Sequence, residues 1–175
     1  VDKAVRYAER KGVLLVHAAG NSGQNTDIED NYPNKYKKDN TSKPFGNWLE
    51  VGALSWMPGE DMPARFSNYG KKNVDVFAPG VDIYSTIPGS EYASFSGTSM
   101  ASPVTAGVAA LVWSYYPDLS LKQLREILVK STVKVDEYVK VPGGGKQVEF
   151  NTLCNTSGIV NAYKALKMAE EMSSN

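Results

Sequence analysis

The 175-residue sequence holds one cysteine, Cys154, and one histidine, His17. A single cysteine excludes an intrachain disulfide, and Cys154 reads as a small buried hydrophobe rather than a reactive thiol. Net charge is also missing: 19 basic residues balance 19 acidic ones, with no basic stripe and no acidic tail. Nucleic acid is therefore not expected as a partner. No apolar run is long enough to span a bilayer. The longest, Met100 to Trp113, contains a proline and reads as a buried core helix. No leader segment opens the chain, and Val1–Lys11 already has a helical pattern with no cap before it. That start points to a cut or a processing site, so the missing leader says nothing about location. There is no internal repeat and no linker, and the length suits one core, so residues 1–175 are read as one unit.

What the sequence does have is concentrated at 95–103, Phe-Ser-Gly-Thr-Ser-Met-Ala-Ser-Pro, followed at once by an apolar, small-residue helix. Ser99 falls at the start of that helix, where backbone N–H groups are unpaired and the peptide dipoles point their positive ends. A hydroxyl there sits beside donors able to stabilise an oxyanion. Gly97 has no Cβ, so a substrate backbone could come close. Val104, Val108, Leu111 and Val112 give the spacing of a core-facing helix, and Pro103 is read as fixing its first turn. Gly-Thr-Ser alone would be read as a helix cap.

Two further motifs change that reading. Ala18-Ala-Gly-Asn-Ser-Gly23, Phe77-Ala-Pro-Gly80 and Ser96-Gly-Thr-Ser-Met-Ala-Ser-Pro103 occur in the order and rough spacing of subtilisin-like serine peptidases. The chain resembles the C-terminal part of such a catalytic domain over nearly its whole length. The resemblance implies an α/β fold, a mostly parallel sheet with helices on both faces, present as its C-terminal portion only. It also implies polypeptide substrates and an extracellular or cell-envelope location. Ser99 becomes the nucleophile, and Asn21 the side-chain oxyanion donor beside the N–H of Ser99. Ala18, Ala19 and Gly20 form one wall of the pocket for the residue before the scissile bond. Asn31 falls near its floor, Gly97 lines the cleft, and Tyr32-Pro33 lies near the other wall in a bond that is often cis. An apolar or mid-sized side chain is the expected preference.

A serine hydroxyl is a weak nucleophile and needs a base that is itself oriented. The family's order is Asp, then His, then Ser, and neither upstream motif is present. His17 lies inside an apolar run, away from the base's place, and reads as a core or interface residue. The expectation is an endopeptidase whose fragment here is inactive. It would lack its own N-terminal part as a partner and be prone to self-association through an exposed strand edge. The alternatives are a catalytically dead binding or scaffold protein with this fold, and a natural processed chain. Ser96 and Ser102 fit packing or capping better than nucleophilic roles, and a lipase-type elbow lacks its second glycine, since Ala101 stands there. The resemblance allows calcium or a weak monovalent cation near Asp75 and the backbone of 34–36. One carboxylate is too few ligands, so Asp75 reads as a surface carboxylate, and neither a metal nor a cofactor is assigned. Lys35, Lys37 and Lys38 read as a solvated loop.

Around these motifs the pattern predicts a helix at 1–11 stopped by Gly12, strands at 13–19, 48–54 and 74–78, and a hairpin at 83–86 and 91–95. Helices follow at 98–115, at 120–131 behind a Ser120/Gln123 capping box, and from 162 to about 172. A glycine-tipped hairpin is expected within 133–150, and 21–47 is a long polar loop.

Overall fold

A computed structural model describes residues 1–36 and 43–174; Lys37 and Lys38 lie outside the described residues. The chain opens with α1 (Asp2–Arg10), ended by Gly12 at φ 72°, and enters β1 (Leu15–Ala18). β2 (Trp48–Leu54) and β3 (Val76–Pro79) follow in parallel register, pairing Leu15 with Trp48 and Val51 with Val76. Continuous apolar runs of this kind suit strands covered on both faces. β2 meets that description at every residue, whereas β1 is only half-buried throughout. The 13–19 run was expected to be a buried strand. It lies at the edge of the sheet instead, with β2 on one side and no strand on the other among the described residues.

The hairpin β4 (Ile83–Ile87) and β5 (Glu91–Phe95) stands apart as a two-stranded sheet, turned through Gly89 and Ser90, both at positive φ. Then come α2 (Thr98–Tyr115) and α3 (Leu121–Lys130), the latter held by the reciprocal Ser120–Gln123 capping box. Two strands escaped the sequence reading because each is two residues long. β6 (Val133–Lys134) and β9 (Gly158–Ile159) complete the main sheet in the order β1-β2-β3-β9-β6. β9 runs parallel to β3, and β6 antiparallel to β9. Between them β7 (Tyr138–Lys140) and β8 (Gln147–Glu149) form the expected hairpin. α4 (Ala162–Ser173) starts at Asn161, whose side chain accepts from the Lys164 N–H at 2.8 Å.

Helices cover both faces. Leu49, Val51 and Ala53 of β2 point to the face under α2, α3 and α4, in a core with Val112, Leu124, Ile127 and Ala165. The alternate residue Trp48 points the other way, onto Val5 of α1 and Phe45. α2 does not lie on the sheet through the residues its pattern suggests. Its buried stripe is Thr98, Ala101, Thr105, Ala109 and Val112, and Leu111 is exposed. Small residues let the helix approach three strands closely, and the Thr105 hydroxyl is satisfied by Ala101 O at 3.1 Å. Pro103 is the sixth residue of α2, not part of its first turn, so its ring removes the N–H that would bond the Ser99 carbonyl. No helix among the described residues is long and apolar enough to cross a membrane.

Candidate active site

In a parallel sheet the loops leaving the carboxyl ends of the strands meet in a crevice. β1 ends at Ala18 and runs through Ala19 and Gly20 to Asn21. β3 ends at Pro79-Gly80, and α2 begins at Thr98. Gly80 ties the last two together, its carbonyl accepting from the Gly97 N–H at 2.7 Å. The motifs at 18–23, 77–80 and 96–103 thus converge at one end of the sheet.

Asn21 is fixed by Thr98, which is fully buried. Thr98 donates its backbone N–H and its hydroxyl to Asn21 Oδ1, each at 2.9 Å, and its hydroxyl oxygen accepts from the Gly20 N–H at 3.1 Å. Two donors on Oδ1 decide which end of the amide is which, leaving Nδ2 turned outward as a donor with no acceptor among the described residues. The Ser99 N–H, in the first turn of α2, likewise has no backbone acceptor among them. A Cβ built on Gly97 would stand 3.4 Å from Asn21 Nδ2 and 3.6 Å from the Ser99 nitrogen. Met100 Sδ lies 3.5 Å from the same point, so the two donors flank a buried glycine beside the exposed Ser99. Such an arrangement can hold an oxygen that gains negative charge.

Of the residues expected at the pocket wall, Asn31 is tied to the end of the strand that leads to Asn21, whereas Tyr32 and Pro33 border a cavity with Val1, Asp2 and Lys3. Ala19 is fully buried, and its carbonyl accepts from Asn31 Nδ2 at 2.9 Å and from Asn68 Nδ2 at 2.8 Å. Ala18 closes β1 half-buried, and Tyr32–Pro33 is cis. Ser96 and Ser102 are occupied elsewhere: Ser96 Oγ accepts from the Asp82 N–H at 2.9 Å, and Ser102 Oγ donates to Val16 O at 3.0 Å. The roles of Thr98 and Asn68 escaped the sequence reading. Thr98 lies inside the 96–103 motif, where its neighbour Ser99 drew the attention. Asn68 carries no local signal at all.

His17 is not brought to Ser99. It pairs in register with Glu50, on the face of the sheet opposite α2, so the strand backbone stands between the ring and the serine. Its Nδ1 lies 2.8 Å from Glu50 Oε1 and its ring 4.8 Å from that of Trp48, whose Nε1 donates to Glu50 Oε2 at 2.6 Å. A satisfied, partly buried histidine is what the residue was expected to be.

The Asp75 and Lys35 expectations are overturned. Asp75 is 4% exposed and Lys35 5% exposed. Asp75 Oδ1 receives Lys35 Nζ at 3.1 Å and Arg125 Nη2 at 3.3 Å, while Oδ2 accepts from the Glu50 N–H at 2.8 Å. Arg125 is braced by Trp48 O at 2.8 Å. A carboxylate can be buried here because two cations and a backbone donor replace its water. Those partners use both oxygens, so these residues do not fit a metal cation at Asp75. Among the described residues no group of three or more His, Cys, Asp or Glu could hold a metal. Beside this cluster the Tyr36 phenol is pushed up, chiefly by burial and then by Asp27 and Asp75. Cys154 is buried as expected, and burial pushes its thiol up as well.

Comparison with known proteins places the chain in a family. The model of the subtilase family matches residues 1–162. The chain is 42% identical over 167 residues to subtilisin BL of Lederbergia lenta, covering 95% of this chain and 51% of that protein. It is 49% identical over 114 residues to a thermophilic serine proteinase of Bacillus sp. (strain AK1), covering 65% and 24%. A protease structure from Pseudoalteromonas arctica PAMC 21717 matches with a TM-score of 0.66 at 29% identity, covering 95% of this chain and 46% of that one. A structure from the subtilase cytotoxin SubAB assembly matches with a TM-score of 0.74 over 98% of this chain and 53% of that one. At 23% identity, that match speaks to fold alone. The chain spans about half the length, or less, of the curated relatives it matches.

Proposed function

Since the chain belongs to the subtilase family, we propose that it is the C-terminal part of the catalytic domain of a serine endopeptidase, acting outside the cell or at its envelope. Ser99 Oγ attacks the scissile carbonyl. The oxygen that becomes negative is received by Asn21 Nδ2 and the Ser99 N–H, and Gly97 leaves room for the substrate backbone. Ser99 passes its proton to a base. The leaving amine takes that proton, an acyl-enzyme forms, and water releases it. Ala18, Ala19, Gly20 and Asn31 line the pocket for the side chain preceding the cut. The observation that carries this reading is the pair of donors, Asn21 Nδ2 and the Ser99 N–H, that flank Gly97 beside the exposed Ser99.

The base and its orienting carboxylate come from the remainder of the domain, because His17 lies across the sheet from Ser99. That remainder docks on the free edge of β1. Beside this edge lies an apolar groove of about 260 Å³, bordered by Val13, Val16, Ala106, Ala110 and Trp113. These 175 residues alone do not turn over peptides and self-associate through the same edge. The test is peptide hydrolysis by the longer polypeptide containing this chain, with Ser99→Ala as control and a serine-directed phosphonate as trap. Cleavage by wild type but not by Ser99→Ala, with label on Ser99, supports the reading. No cleavage and no label would sink it and leave a binding protein with the same fold. Hydrolysis by the chain alone, lost on Ser99→Ala, would overturn the claim that the base lies elsewhere.

A further inference from the structure

The donor pair is only as good as the loop that carries Asn21, and the segment 66–69 holds that loop: Phe66 O accepts from the Gly23 N–H at 2.8 Å, the Tyr69 N–H donates to Gln24 O at 3.0 Å, and Asn68 makes the remaining bonds. Asn68 is 4% exposed and meets residues 19–24 four times without touching Asn21. Its Oδ1 accepts from the N–H groups of Ser22 at 3.1 Å and Gln24 at 3.0 Å. Its Nδ2 donates to Ala19 O at 2.8 Å, and its backbone N–H to Gly20 O at 2.8 Å. The fit leaves no slack: a Cβ at Gly20, where φ is 102°, would stand 2.5 Å from Asn68 Nδ2. Asn68 is anchored in turn. The neighbouring Ser67 hydroxyl donates to Asn68 O and accepts from the Ala53 N–H of β2, both at 2.9 Å.

We propose that Asn68 is a positioning residue for the oxyanion donor. It joins the loop bearing Asn21 to the fully buried strand β2 and so fixes where Asn21 Nδ2 stands relative to the Ser99 N–H. Thr98 holds the Asn21 side chain, and Asn68 holds the backbone on both sides of it. The two constraints meet at Gly20, whose N–H is held by Thr98 and whose carbonyl by the Asn68 N–H, and together they place one nitrogen. Ala19 O keeps a second donor in Asn31, so removing the Asn68 side chain strands chiefly the N–H groups of Ser22 and Gln24. Those residues lie within three positions of Asn21, and their exposed N–H groups turn to water once Asn68 Oδ1 is gone, which releases the loop on that side.

The proposal rests on the peptidase reading, and its test separates the two. In the full polypeptide, kcat and KM on a peptide amide are measured for wild type, Asn68→Ala, Asn21→Ala and the double variant, each normalised to sites labelled by the phosphonate. The expected result is a loss of about 10- to 100-fold in kcat for Asn68→Ala with KM nearly constant, as for a misplacement of order 1 Å. That loss should vanish when Asn21 is already alanine. Should Asn68→Ala fail to fold, Asn68→Asp keeps both accepted hydrogen bonds but sets a carboxylate oxygen against Ala19 O, and the same comparison is made on its loss of kcat with and without Asn21→Ala. An active wild type with an unimpaired Asn68→Ala, or an equal loss in the Asn21→Ala background, overturns the proposal and leaves the peptidase reading intact. An inactive, unlabelled wild type overturns both.

Discussion

The two ends of the parallel sheet hold polar clusters built to opposite rules. Toward the amino ends of β2 and β3, Asp75, Lys35, Arg125, Glu50, His17 and Trp48 form a buried to half-buried set whose charges, His17 Nδ1 and Trp48 Nε1 are paired among themselves. At the carboxyl ends, Thr98 and Asn68 are equally buried, yet their hydrogen bonds leave Asn21 Nδ2, the Ser99 N–H and the Ser99 side chain facing open space. A closed set holds the fold. A set that spends its bonds on aiming donors at nothing within the protein is built for something that arrives. Ionisable residues alone would point to the first end, since the only histidine belongs to the closed set.

Mutations at the two ends should therefore separate activity from stability. The largest effect is expected for Ser99→Ala in the full polypeptide: peptide hydrolysis falls by about 10⁶-fold in kcat, the value known for subtilisin itself and adopted here, with Tm unchanged. Asn21→Ala should lower kcat by about 10²–10³-fold with little change in KM, again the magnitude known for subtilisin. A comparable rise in KM would mean that Asn21 binds substrate rather than the developing oxyanion. At the other end, Asp75→Ala leaves the buried Lys35 and the half-buried Arg125 without their anion. It should cost about 3–5 kcal/mol of stability in denaturant unfolding while the molecules that remain folded keep wild-type kcat. His17→Phe preserves the stacking on Trp48. It should leave the pH dependence of kcat/KM in place, with activity within about twofold, because the ring faces away from the serine. Loss of the acidic limb in that variant would make His17 the base.

The smallest effect concerns Cys154. Burial raises its folded-state pKa, so the stability it contributes is complete below the unfolded thiol pKa of about 8.5 and is lost as pH rises through the folded value. Between pH 7 and pH 10, Tm should fall slightly less steeply for Cys154→Ala than for wild type. Equal slopes would show that the buried thiol does not contribute.

Much of the fold was legible along the chain. β2, the β4–β5 hairpin, α2 and α3 occur where periodicity, turn residues and the Ser120 capping box placed them, because each signal lies within a few residues of the element it sets. β6 and β9 were invisible, since two residues cannot display a period and both owe their conformation to neighbours far along the chain. Asp75 and Lys35 were misplaced for the same kind of reason. Each looks like a surface residue until its partner arrives, and the partner lies 40 positions away.

The sequence alone determined which chemistry is possible. The serine sits at a helix start after a glycine, the asparagine follows an apolar strand, and no second histidine or disulfide exists to suggest another scheme. Those are properties of residue type and short-range spacing, which the chain carries with it. Tertiary structure decided what those groups do. It turned His17 to the far face of the sheet, used the Asn21 carbonyl to satisfy Thr98 so that the amide points outward, and set Asn68 against the loop. Hydrogen bonds and burial between distant segments are fixed only when the strands take their register, and that register is where a list of polar residues becomes one closed cluster and one open site.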